Sequence, residues 1–171
     1  YSPTAWHCHE MLFGYSVAVV IGFLLTAVRN WTQAQTVRHT WLAILAALWL
    51  CGRLAPLFPL PNLVIALIDL AFLPLATIFV VWPILKSRQF KQLVFLPLLT
   101  LMVLANVGFH LSALQLIPIP YYYSLDLMRW LLVTLLILMG GRVIPFFNER
   151  GRSEAKQTTH YNALENLLIP L

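Results

Sequence analysis

Charge is scarce in this chain: only 10% of its 171 residues are Asp, Glu, Lys or Arg, against about 25% in a soluble domain. So little polar surface cannot coat a water-soluble fold of this size. A soluble enzyme, a nucleic-acid module and a disordered tail are thereby excluded. The two cysteines, Cys8 and Cys51, are too few for a disulfide framework. Internal repeats and low-complexity segments are also absent. What fills the chain is apolar: 60% of residues are hydrophobic and the mean hydropathy is +0.80.

The apolar residues fall into five runs, over about 11–28, 40–58, 63–85, 93–117 and 125–144. Each matches the roughly 20 residues that cross a bilayer as a helix. Backbone groups within lipid must be satisfied inside the segment, so the runs are expected to be α-helices. The fold class is therefore an all-α, polytopic transmembrane helix bundle forming a single domain. Short connections such as FPLPN at residues 58–62 and IPIP at 117–120 make neighbouring helices antiparallel. Pro74 inside the third run is expected to kink its helix.

Basic residues alternate between loops. Arg29, Arg38 and His39 flank the first loop, Lys86, Arg88 and Lys91 the third, and Arg142, Arg150, Arg152 and Lys156 the last span and tail. The second and fourth loops hold no Lys or Arg. The net charge of +5 therefore speaks to topology. By the positive-inside rule the N-terminus faces outward and the basic loops face the cytoplasm. The chain begins at Tyr1 without a signal-like segment, and NALENLLIPL at 162–171 reads as the start of another helix. A fragment of a longer membrane protein is expected.

Ionisable residues within spans are costly and tend to face a partner or a cavity. Arg53, Asp69, His110 and Arg129 all fall roughly 6–11 Å below the outer boundary at helical rise. The start of the first span adds His7, His9 and Glu10 to the same layer. One reading is charge neutralisation, with Asp126 pairing with Arg129 and Arg53 with Asp69. The other has Arg53 and Arg129 holding an anionic group such as a porphyrin propionate.

Trp6-His7-Cys8-His9-Glu10 concentrates two imidazoles, a thiol and a carboxylate at a helix entrance. Imidazole suits iron, copper and zinc, whereas thiolate selects softer ions. In a regular helix His7 and His9 project about 200° apart. Either the segment is non-helical and chelates one ion, or the two imidazoles serve different sites; interfacial decoration is the bland alternative. His110, with Asn106 one turn earlier, is either a ligand or a buried hydrogen-bonding group. His39 and His160 lie near loops and are expected to be solvated. Gly14, Ala18, Gly22 and Thr26 repeat at four-residue spacing, which admits a neighbouring helix or a flat macrocycle at close range.

The stretch WHCHEMLFGYSVAVVIGFLLTAVRNWT (6–32) resembles the signature of the NnrS family of bacterial membrane proteins, as do LWLCGRLAP (48–56) and GGRVIPFF (140–147). The resemblance implies a multi-helix inner-membrane protein about twice this length, associated with haem and copper and with nitric oxide metabolism, denitrification and nitrosative stress. It implies metal ligation by His7 and His9, followed by Glu10, and it matches Arg53 and Arg142 to two arginine-containing blocks. Cys8, where a small residue is expected, and Arg29, where proline is expected, depart from the pattern. The resulting expectation is a haem- and copper-binding protein with nitric oxide as its small ligand. His7, His9, Glu10 and His110 would serve the metal, and Arg53 and Arg129 the propionates. Turnover, sequestration and sensing all stay open, and the missing half of the chain is a required partner. The alternative is a transporter or metal-handling permease with a polar site near the outer face.

Overall fold

The computed structural model describes residues 2–151, which form five long helices with no strand among them. They are α1 (Pro3–Thr32), α2 (Thr40–Leu57), α3 (Asn62–Lys86), α4 (Phe90–Ala113) and α5 (Tyr122–Gly151). All five are long and apolar enough to cross a membrane. Two compact units divide the chain after Arg129: the first carries α1–α4 and the start of α5, the second the rest of α5. The expected further helix at 162–171, and His160, lie outside the described residues.

Helix ends depart from the apolar runs for local chemical reasons. α1 begins eight residues before its run, because Ser2 Oγ accepts the Ala5 N–H at 3.3 Å and Pro3 occupies the first helical position, where its missing N–H costs nothing. α4 stops at Ala113 although apolar residues continue to Ile117. Gln115 adopts a left-handed conformation (φ 59°), and the Leu116 N–H closes the helix on the Leu111 carbonyl at 2.9 Å. Arg88 (φ 55°) and Gln33 (φ 52°) end α3 and α1 in the same left-handed region.

Within the first unit α3 packs against α1, α2 and α4. Val17, Leu24 and Val28 of α1, Ala76, Val80 and Ile84 of α3, and Phe95, Leu99, Met102 and Phe109 of α4 are completely enclosed. Lipid tails are as apolar as these side chains, so close packing rather than water exclusion holds such an interface. Trp82, Leu67, Ile78 and Leu104 stay on the outside, where lipid solvates them. Gly14 is buried, but Ala18, Gly22 and Thr26 are not; the four-residue stripe is therefore only partly covered by described neighbours.

The buried face of α1 repeats every four residues: Ala5, His9, Phe13, Val17 and Ile21. An α-helix turns such a row by about 40° per step, which over four steps would carry it to the far side. The chain avoids this by forming a π-helical stretch over Glu10–Ser16, whose wider turn holds the row on one face. Such insertions cluster at functional sites.

Candidate metal centre

The π-helical stretch of α1 sets the position of His9 and Glu10. His9 is fully enclosed, its ring stacked on Trp6 and Phe13 (centroids 4.9 Å for both) and close to Phe109 (4.5 Å). Its Nε2–H donates to Asn106 Oδ1 at 2.9 Å and lies 3.4 Å from Asp69 Oδ2.

Asp69 is the centre of the cluster. It is the one acid in α3 and is 5% exposed. Asp69 Oδ2 accepts from Asn106 Nδ2 and from His110 Nε2, both at 3.0 Å. Arg53 Nη2 of α2 donates to Asp69 Oδ1, and its Nε lies 2.7 Å from Glu10 Oε2. Asn106 and His110 stand one turn apart on α4 and so reach the same carboxylate. Two carboxylates against one guanidinium leave the cluster one negative charge when both imidazoles are neutral, a field that favours a cation.

His9 Nδ1 and Glu10 Oε1 are among the buried side-chain atoms with no hydrogen-bond partner among the described residues. They face each other at 3.8 Å, too far for a hydrogen bond.

One ligand atom each from His9, Asp69 and His110 lie within 4.8 Å of one another, and all three residues are buried. His9, Glu10, Arg53 and His110 thus meet, as their common depth suggested, and Asp69 and Asn106 join them. His7 does not join; it is exposed on the other side of α1. Arg129 is also outside the cluster, with an exposed side chain whose Nη2 lies 3.1 Å from Asp126 Oδ1. Cys8 is a half-buried free thiol and Cys51 an exposed one. Arg142 is half-buried in the second unit. Sequence reasoning assigned Asp69 only a pairing role with Arg53. The signal for more was its isolation as a single acid in an apolar 25-residue helix.

A sequence profile of the family described as NnrS protein matches residues 1–171. The chain belongs to the NnrS family. Membership is consistent with a nitric-oxide-related membrane protein, and the five apolar helices of this NnrS chain agree with a bilayer setting. No curated protein and no solved structure matches it.

Gly14 lets this NnrS cluster close. A Cβ there would lie 2.9 Å from Glu10 Oε2 and nearer still to Arg53 Nη1, while the Gly14 carbonyl accepts the Trp49 indole N–H at 3.0 Å. Gly14→Ala should displace the Arg53–Glu10 pair and destabilise the bundle by about 1–3 kcal/mol. Thermal unfolding in detergent checks this; a variant as stable as the parent would show that the pair yields freely.

Proposed function

We propose that this chain is the metal-binding part of a nitric-oxide-handling protein of the bacterial inner membrane, with His9, Asp69 and His110 holding one copper ion. The observation that carries the reading is the meeting of their three ligand atoms within 4.8 Å, donated by three different helices. Ligand nitrogens and oxygens stand about 2.0–2.2 Å from such an ion, so only a small contraction is required. Imidazole and carboxylate suit Cu(II) better than Cu(I), which prefers thiolate or thioether.

The unsatisfied pair of atoms supports the same reading. With an ion on Nε2 of His9, the ring proton moves to Nδ1 and has an acceptor waiting in Glu10 Oε1. A ligating histidine commonly donates its other N–H to a carboxylate, which fixes the ring and raises its basicity. Asn106 orients the Asp69 carboxylate, Arg53 holds that residue's other oxygen, and Trp6, Phe13 and Phe109 keep water from the His9 ring. Copper bound here supplies a one-electron, Lewis-acidic centre; nitric oxide, small and uncharged, can approach it through lipid.

The cluster does not fit a porphyrin. The space between Phe13, Trp49, Arg53 and Asp69 has no room for even a water-sized molecule, against the roughly 300 Å³ where small-molecule pockets begin. The ring of His9 is covered by aromatic side chains, and Arg53 already serves two carboxylates. These residues suit an ion and not a macrocycle. In this reading the cluster end of the bundle faces outward and the basic loops face the cytoplasm.

The test is the metal content and copper electron paramagnetic resonance of the intact protein in detergent. About one copper per chain with nitrogen hyperfine structure is expected, with a signal that changes on adding nitric oxide. Chelation should lower the melting temperature by roughly 5–15 °C, as expected for loss of a ligand held at 100–1,000 times its Kd. Absence of copper, together with a melting temperature indifferent to chelator, would leave the cluster as a proton-sharing structural network. A copper signal unmoved by nitric oxide would keep the metal and remove its ligand.

A further inference from the structure

At the opposite end of α1, about 30 Å along the helix from His9, a cleft of about 1150 Å³ opens between the end of α1 and the start of α2. Arg29, Arg38 and His39 line it. Among the described residues neither guanidinium makes an ion pair or a hydrogen bond. Two unpartnered arginines facing one cleft make a strong anion-attracting site, and guanidinium matches phosphate oxygens bidentately.

Neighbouring residues set the depth. Trp41 and Trp82 stand beside the cleft's loop, in a recess shared with Thr36 and Val37, and are 59% and 66% exposed. Exposed tryptophans at the ends of spans sit at the headgroup level of a bilayer. The cleft does not end there: it continues along Leu25 and Leu42 to Gly22, two helical turns deeper than Arg29. A Cβ on Gly22 would meet nothing within 4 Å, so an open furrow runs down the apolar face of α1. A cationic mouth at headgroup level above an apolar furrow at acyl-chain level fits an amphiphile and leaves a free phosphate ion using only half the site.

We propose that the cleft between α1 and α2 binds an anionic glycerophospholipid, its phosphate held by Arg29 and Arg38 and one acyl chain lying in the furrow beside Gly22. The inference is independent of the metal reading, because it uses different residues at the other end of the helix. Basic pockets between transmembrane helices bind anionic headgroups by the same physics. His39 adds a third donor and a charge when protonated.

The experiment is native mass spectrometry of the intact protein in mild detergent, titrated with phosphatidylglycerol or with phosphatidylcholine of the same chains. Phosphatidylglycerol should bind at least tenfold more tightly. Arg29→Gln with Arg38→Gln should weaken it roughly 30-fold, two surface charges' worth, while Arg29→Lys with Arg38→Lys retains most of the binding. Gly22→Leu, which fills the furrow and leaves both arginines, should weaken phosphatidylglycerol with long chains more than its short-chain form. Glycerol phosphate should compete poorly. Equal binding of the two lipids, undiminished binding by the glutamine pair, or full competition by glycerol phosphate would each overturn the proposal. Should the glutamine pair fail to fold, the comparison of lipids on the parent protein and on Gly22→Leu decides.

Discussion

Asp69→Ala is expected to destabilise the bundle by about 3–5 kcal/mol and to abolish copper binding. Interhelical hydrogen bonds within membranes average only about 0.6 kcal/mol, so three ordinary ones would account for about 2 kcal/mol. The expected effect is larger because one of the donors is the Arg53 guanidinium. Breaking a buried ion pair by removing one partner leaves the other charge uncompensated, at about 3–5 kcal/mol. His110 Nε2 and Asn106 Nδ2 lose their acceptor as well. Asp69→Asn separates the two consequences. It keeps the shape and one acceptor oxygen and should recover part of the stability, yet it removes the charge that a cation requires. Unfolding in detergent and metal analysis of the three proteins measure both. Stability within about 0.5 kcal/mol of the parent for Asp69→Ala would mean that Glu10 alone can satisfy Arg53.

His9→Ala should reduce copper to background and lower stability by about 2–4 kcal/mol, whereas His7→Ala should change stability by less than about 0.5 kcal/mol and leave copper in place. His9 is enclosed by Trp6, Phe13 and Phe109, so truncation removes a ligand and opens a cavity whose walls cannot collapse fully. His7 is exposed, and surface substitutions away from special features are near neutral. The pair is a sharp test because the two histidines are two positions apart in one motif. Equal loss of copper in both would return His7 to the ligand set and require the start of α1 to unwind.

The difference between those histidines shows where the sequence stopped being legible. From residue spacing alone, His7 and His9 point apart, and nothing local says which one faces the protein. The choice was made by the four-residue row from Ala5 to Ile21, which could have been noticed, and by the π-helical turn at Glu10–Ser16 that holds it on one face, which could not. Arg129 shows the same limit. Its depth matched that of Arg53, but its direction sends it to Asp126 rather than to the cluster.

Five membrane-crossing helices follow from hydropathy and charge, because a bilayer imposes length and polarity on every segment independently of its neighbours. The depth of each ionisable residue follows too, since helical rise converts position along the chain into distance from the surface. The azimuth of each side chain does not. That Asp69 gathers His9, Arg53, Asn106 and His110, and that Arg29 and Arg38 share an open cleft, depends on how four helices rotate against one another. That rotation is set by packing over many residues at once, and only the folded bundle holds it.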